Sequence, residues 1–529
     1  MSYRLLHTLL ALSLLVAMPY AVQAARPSPK RLAKILRSAP GRPPAFAKVI
    51  DLKTSKVIFE LNASKKLTPA SVSKMFTTAA AALRIPMKRR LYTDVLIAGK
   101  KAKAVKELVI RGGGDMSLSH QQLRGLANKV VKSGIRRIGT LWIDSTLFDR
   151  KLPRGFNEKR TDSSYRAPVD ALNVDKGTIG IAVRPAGKLG RLALVTINPP
   201  SDAIVIDNTA KTVKGKRSAL VVRTKAAAKG KTTVIVRGKI GIKRRRPAAV
   251  RKRVESAALH AGHAFKKMLQ GNKIRIKKVR WRAPKGGYKR FKRLARHTSP
   301  SVRELMTFCN QFSHNGYAES FFKLVGAEVK GAPGSCKKAE AAIHIAFKGS
   351  KIDWKKVRLG NGSGLYHAND VTADAVVKLL AFMHNKGPIG QAWRRTLAIG
   401  GVKGTLRRRL RASVVGAKVY GKTGTLNDVT ALAGYAIGKR QKYAFALFFN
   451  GLKRPAYLYR RVHDRFLQAL MSPGSIKVKA KTRKQKKAKT KTRLRKTHRA
   501  KRKAKLRKKR RPPPKSRKKR PKKVHSKAS

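Results

Sequence analysis

Acidic residues are scarce in this chain. Its 529 residues hold 23 Asp and Glu against 127 Lys and Arg, a formal net charge of +104. That imbalance says nothing of the fold but selects polyanionic partners: nucleic acid, anionic lipid or acidic glycan. Cysteine is almost missing too. Cys309 and Cys336 are the only two, and their spacing fits neither a zinc nor a redox motif. A disulfide between them and a pair of buried free thiols both remain open. His260 and His263 are three apart. No Glu completes an H-E-x-x-H pattern and no cysteine lies nearby, so they read as ordinary helix residues and no metal is expected.

Long apolar runs are missing after the N-terminus, which leaves no candidate for a later membrane-spanning helix. The run Leu5–Ala17 is interrupted by His7, Thr8 and Ser13, follows Arg4 and leads to Val22-Gln23-Ala24. It is too short for a comfortable span and ends in a small residue. Residues 1–24 therefore read as a removable signal peptide, with an uncleaved anchor as the alternative. The expected location is outside the cytoplasm, in the periplasm or cell envelope.

What is present is a core-forming composition, 42% hydrophobic. The length suggests about three units at roughly 150 residues per domain. Residues 25–44 form a basic, Pro-rich connector. Ala45–Leu52 and Lys56–Leu61 read as a hairpin, and Ser71–Leu83 as a helix opened by Pro69. Residues 91–296 carry many short Val/Ile/Leu runs, among them Glu107–Ile110, Thr140–Ile143, Gly180–Val183 and Thr232–Val236. This reads as a mostly β insert with a helix near Gln121–Ser133. Helices are expected at Ser301–Leu324, Val371–His384 and Ala456–Leu470, and strands at Val414–Tyr420, Ala431–Ile437 and Tyr443–Asn450. Segments 45–90 and 297–472 then form one discontinuous α+β domain. From Ile476 to the final Ser529 more than half of the side chains are Lys or Arg and none is acidic. Residues 473–529 are expected to be a disordered tail. Without the charge of that segment the rest still carries +74.

Three short motifs carry chemistry. In Ser71-Val72-Ser73-Lys74 a helical spacing of three brings Ser71 and Lys74 onto one face. A neutral Lys74 can accept the Ser71 proton, and the Ser71 N–H at a helix start is free to face an oxyanion. Ser73 diverges from Lys74. Ser313-His314-Asn315 supplies a hydroxyl and an amide, with Glu319 four residues after Asn315. Lys422-Thr423-Gly424-Thr425 follows a strand pattern and offers an ammonium and hydroxyls to a carboxylate, with Gly424 allowing close approach of a ligand. Each motif alone is weak. In this order they supply nucleophile and base, proton relay and carboxylate clamp.

With these motifs in place, the chain resembles the penicillin-binding protein 4 type of D-alanyl-D-alanine carboxypeptidase/endopeptidase, peptidase family S13, over about Pro44–Leu470. Gly112-Gly113-Gly114-Asp115 with Ser117-Leu118 resembles the family's glycine-rich turn, and Asn361-Gly362-Ser363-Gly364-Leu365 its "DGSGLS" segment. Asp144–Phe148 and Tyr165–Leu172 resemble phrases in its inserted domains. Lys74 and Ser313 lie 239 residues apart, room for those insertions. Three positions depart from the pattern: His314 and Asn361 where Asp is frequent, and Tyr366 where Ser is usual. The resemblance implies a β-lactamase-like penicillin-binding domain with a large insert. It implies that Ser71 attacks the bond between two D-alanines of a peptidoglycan stem peptide and is acylated by β-lactams. Lys74 would be the base, lowered in pKa by burial and Lys422. Ser313 would relay the proton, Asn315 would hold Lys74 and the substrate amide, and Lys422, Thr423, Gly424 and Thr425 would bind the substrate. The Ser71 and Thr425 N–H groups would form the oxyanion hole, with no cofactor. The alternatives are a β-lactamase and a catalytically idle envelope protein that binds polyanions. For the basic tail, envelope glycans or lipid are favoured over nucleic acid.

Overall fold

Residues 442–450 read Lys-Tyr-Ala-Phe-Ala-Leu-Phe-Phe-Asn, with bulky groups at every second position. In a strand such alternation sends two different surfaces to the two faces of a sheet. The computed structural model describes residues 27–99, 102–156 and 161–472, and this strand lies inside a six-stranded antiparallel sheet. Its order is Ala398–Ile399, Lys418–Thr425, Val429–Ile437, Lys442–Asn450, Ala45–Asp51 and Val57–Leu61. Tyr443, Phe445, Leu447 and Phe449 enter one core with the helices Pro29–Arg37 and Ala456–Met471. Ala444, Ala446 and Phe448 enter the other, beneath the helix Lys74–Arg84 and its neighbours. The small alanines on that face leave room for close helix approach. The N-terminal hairpin thus completes a sheet built otherwise from the C-terminal third, through pairs such as Ala45 with Phe449 and Asp51 with Tyr443.

The basic connector is not wholly irregular. Ser28 caps a helix at Pro29–Arg37 through its hydroxyl, Pro29 occupies the first turn, and Leu32 and Leu36 are buried against the sheet. Proline here marks a helix start, where its missing N–H costs nothing. The expected strand Val414–Tyr420 is also displaced. Ala412–Val415 is a helical turn closed by Gly416 at φ 75°, and the strand runs Lys418–Thr425, through the Lys-Thr-Gly-Thr motif itself. The predicted helix Ser301–Leu324 is two helices, Val302–Phe312 and Asn315–Lys330. Ser313 separates them in the left-handed conformation, φ 56° and ψ 38°. Apolar periodicity continues across the break, which hid it.

Strands Arg90–Ala98 and Phe291–Ser301 pair antiparallel, so the chain leaves and re-enters the catalytic layers at adjacent points. Between them stands a five-stranded sheet, Arg275–Arg280, Arg137–Asp144, Ala104–Gly112, Arg90–Ala98 and Phe291–Ser301. Two helices cover it, His120–Lys132 and a second long one, Ala257–Gly271. A small β-sandwich follows, whose two sheets bury Ile179, Ile181, Val183, Val234, Val236 and Ile240. The glycine-rich turn is a tight junction between the insert and the layers beneath it. A Cβ on Gly112 would lie 2.3 Å from the Ala171 carbonyl and one on Gly113 2.5 Å from that of Tyr92. The Gly114 N–H donates to the Ala171 carbonyl (2.8 Å), and the Gly114 carbonyl accepts from Ser320 Oγ (2.6 Å), tying the insert to the helix Asn315–Lys330. Among the described residues no helix is long and apolar enough to cross a membrane.

Candidate active site

The turn that carries Ser71 is strained. Ala70 sits at φ 48°, a region costly for a residue with a Cβ. Ala70–Ser73 forms one 3-10 turn, and Lys74 begins the helix Lys74–Arg84. Two glycines allow the turn to be gripped from both sides. A Cβ on Gly364 would lie 1.8 Å from the Ala70 carbonyl, and one on Gly424 2.8 Å from the Pro69 carbonyl. The close approach at Gly424 is thus made by the turn that carries Ser71.

Lys74 is fully buried. Its Nζ donates to Ser71 Oγ (2.8 Å), Asn315 Oδ1 (2.8 Å) and the Ser363 carbonyl (2.6 Å). Burial lowers its pKa from 10.5 to about 8, against the opposing influence of Cys309 and Glu319. Lys422 is also fully buried, and its Nζ donates to Ser313 Oγ (2.7 Å) and the Thr423 carbonyl (2.8 Å). Its pKa lies well below the usual lysine value, first through burial and then through the Lys74 charge. Burial is the largest cause at both amines, and the repulsion between them disfavours carrying both as ammonium ions at once.

Asn315 is fixed at both ends of its amide. Its Oδ1 accepts from Lys74, and its Nδ2 donates to the Tyr165 carbonyl (3.0 Å) in the insert. Glu319, one turn further along, is buried and accepts from the Gly362 N–H (3.0 Å) and the Ser363 N–H (2.8 Å). It holds the loop whose carbonyl receives Lys74. Asn361 uses its amide in a way a carboxylate could not: Nδ2 donates to the carbonyls of Arg154 and Leu365, both 3.0 Å, while Oδ1 accepts from the Gly364 N–H at 2.8 Å. The His314 ring packs on Phe308 and Tyr317, with burial lowering its pKa to about 4, so it stands neutral where Asp is frequent in the resembled family. Tyr366 adopts φ 62° and packs edge-on against Phe156.

An open cleft of about 470 Å³ joins these groups, lined among others by Ser71, Tyr165, Ser313, Asn315, Tyr366 and Thr425. Thr423 Oγ1 meets Thr405 Oγ1 at 2.9 Å, and Arg460 Nη2 lies 3.2 Å from Thr425 Oγ1. Sequence reasoning gave no role to Tyr165, Ser363, Thr405 or Arg460. The first two act through backbone carbonyls, which leave no side-chain signal, and the last two come from segments without a motif. Glu319 had a signal, its spacing four residues from Asn315. Ser73 is buried, with no partner for its Oγ among the described residues. Cys309 and Cys336 are free thiols, which closes the question of a disulfide. His260 is buried in the helix Ala257–Gly271, and among the described residues no three His, Cys, Asp or Glu side chains are grouped to hold a metal ion.

Comparison with known proteins agrees with this geometry. The model of the D-Ala-D-Ala carboxypeptidase 3 (S13) family matches residues 30–466. A D-alanyl-D-alanine carboxypeptidase of Actinomadura sp. (strain R39) is 32% identical over 427 residues, 78% of each chain. D-alanyl-D-alanine carboxypeptidase DacB of Haemophilus influenzae is 25% identical over 412 residues, 76% of this chain and 84% of that one. The crystal structure of penicillin-binding protein 4 from Haemophilus influenzae superposes with a TM-score of 0.69 at 21% identity, over 83% of this chain and 98% of that one, and so shares its fold. With three motifs from distant segments meeting in one cleft, the chain belongs to the S13 family of D-Ala-D-Ala carboxypeptidases and is a serine-type peptidase.

Proposed function

We propose that Ser71 is the nucleophile of a peptidoglycan D-Ala-D-Ala carboxypeptidase, with Lys74 as its base. The observation that supports this is the Lys74 ammonium, buried and held at 2.8 Å from Ser71 Oγ with a pKa lowered to about 8. Once neutral, Lys74 accepts the Ser71 proton as Oγ attacks the D-alanyl carbonyl carbon. The oxyanion lies against the N–H groups of Ser71 and Thr425. Ser313 Oγ, bonded to Lys422, hands a proton to the departing amine and regains one from Lys74, which returns to neutral, so the Ser71 proton leaves on the amine while Asn315 holds Lys74 in line. Lys422, Thr423 and Thr425 receive the terminal carboxylate, beside Arg460. Water releases the acyl group.

A β-lactam carries the same carbonyl and carboxylate and is expected to acylate Ser71. Peptide mapping by mass spectrometry after incubation with penicillin tests this. An adduct within Leu67–Arg84 supports the assignment, and an adduct on Ser313 or Ser363 overturns it. We further propose export through residues 1–24 and polyanion binding by residues 473–529. Both lie outside the described residues and rest on composition: the apolar run before Val22-Gln23-Ala24, and the Lys and Arg that fill more than half of the chain from Ile476 onward.

A further inference from the structure

The β-sandwich of the insert is far more basic than its neighbours need. Residues 178–253 hold 20 Lys and Arg against two acids, Asp202 and Asp207. Both acids are already engaged, Asp202 by Lys266 and Lys267 and Asp207 by Arg237. The excess is concentrated at one tip. The turn Lys214-Gly215-Lys216-Arg217 and the loop Lys243-Arg244-Arg245-Arg246 bring together seven cations. None of the seven pairs with a carboxylate among the described residues.

These two segments are pinned to each other despite their charge. Strand Thr232–Gly241 ends between Lys211–Val213 and Ser218–Ala226, so the turn arches over its end. The Ile242 N–H donates to the Val213 carbonyl (2.8 Å) and the Lys243 N–H to the Gly215 carbonyl (2.9 Å). At the junction a Cβ on Gly241 would lie 2.5 Å from the Gly215 carbonyl and 2.7 Å from that of Arg217. Arg244 Nε is held by the Arg246 carbonyl at 2.9 Å. The result is an open concavity of about 890 Å³ lined by Ile242 and five cations: Lys216, Lys243, Arg244, Arg245 and Arg246. Like charges this close repel, and at 0.1 M salt they are screened only over about 10 Å. A fixed cradle of unneutralised cations is therefore matched to an extended anion.

We infer that this tip is a docking site for the anionic peptidoglycan polymer itself, through its carboxylates, distinct from the catalytic cleft and from the C-terminal tail. The inference rests on peptidoglycan being the substrate. Two features disfavour nucleic acid. Residues 211–217 and 241–247 contain no aromatic side chain on which bases could stack, and the tip presents turns in place of a helix that could enter a groove. Such a site holds the enzyme on a polymer whose cleavable peptides are sparse, and raises their local concentration at Ser71.

The test is lysine acetylation footprinting of the full chain by mass spectrometry, with and without soluble glycan strands bearing stem peptides. Local readout at Lys216 and Lys243 keeps the tail from masking the result. The expected outcome is protection of both lysines at low salt, lost as salt rises. It should fall roughly 10-fold in the triple variant R244E/R245E/R246E. Gly241→Ala keeps every charge but forces the two segments apart, and should also weaken protection. Release of D-alanine from a small soluble peptide should be unchanged in both variants, which confirms that each is folded. If Lys216 and Lys243 are labelled equally with and without glycan while the peptide is still cleaved, the docking site is wrong. Equal or stronger protection by duplex DNA or by phosphatidylglycerol vesicles overturns the choice of partner. Failure of the wild-type chain to release D-alanine would instead strike the substrate assignment on which the inference rests.

Discussion

At the scale of single residues the site is a problem of removing water from two amines. Lys74 and Lys422 are both fully buried, with no carboxylate among the described residues bonded to either nitrogen, and burial lowers both pKa values. A base must be neutral to accept a proton, so a group with a pKa near 8 is mostly protonated below that pH and free above it. The acylation rate constant should therefore rise with pH through about 8 and level off beyond, as read by stopped-flow with a chromogenic β-lactam. A flat profile from pH 6 to about 9 would remove Lys74 from the role. Lys74→Ala should slow acylation about 100-fold or more while leaving the melting curve cooperative. The proposed carboxylate clamp makes a second prediction. Lys422→Ala should weaken capture of ligands with a free carboxylate far more than capture of their esters, and Arg460→Ala should do the same to a smaller degree, since its guanidinium reaches Thr425 from the edge of the cleft. Equal losses for acid and ester would argue against both assignments.

At the scale of elements, the site depends on three backbones pressed together where side chains would intrude. The turn that carries Ser71 is clasped by Gly364 on one side and Gly424 on the other, and Glu319 holds the 361–364 loop by two N–H groups. Gly364→Ala adds a Cβ against the Ala70 carbonyl at a residue with φ 70°. The expected cost is about 2 kcal/mol or more of stability, together with slowed acylation. Gly125 is a useful contrast, lying in the helix His120–Lys132 with open space around its Cβ position. Gly125→Ala should raise stability by about 0.5–1 kcal/mol and leave acylation alone. Thermal denaturation of the two variants side by side checks both. A neutral result for Gly364→Ala would mean that the loop is not pressed against the turn that carries Ser71.

At the scale of the whole molecule, the densest run of charge and the chemistry occupy different segments. The three motifs and the sheet that unites them lie before residue 473, while Lys and Arg make up more than half of the chain from Ile476 to Ser529. A chain ending near Ser475 should turn over a small peptide as fast as the full chain. It should bind purified cell wall more weakly and with a shallower salt dependence, since fewer counterions are released. Loss of peptide turnover on truncation would place the tail within the fold. Unchanged wall binding would leave the attraction to the rest of the chain, which carries +74 without the segment from Ile476 onward.

The sequence by itself determined the local pairings. Ser71 and Lys74 are three residues apart, and local helical geometry alone brings them into contact. The alternation in Lys442–Asn450 was likewise legible, because a strand's two faces are written two residues apart. Only the tertiary structure decided how the motifs meet. Asn315 reaches Lys74 across 241 residues, Ser363 across 289, and Lys422 reaches Ser313 across 109. The break at Ser313 was invisible for the same reason. Its left-handed backbone follows no residue preference of serine, and its hydroxyl is bonded by a lysine from a distant strand. The pKa of Lys74 is decided at this level too, since desolvation depends on the packing of the whole domain around the ammonium and not on the residues beside it in the chain.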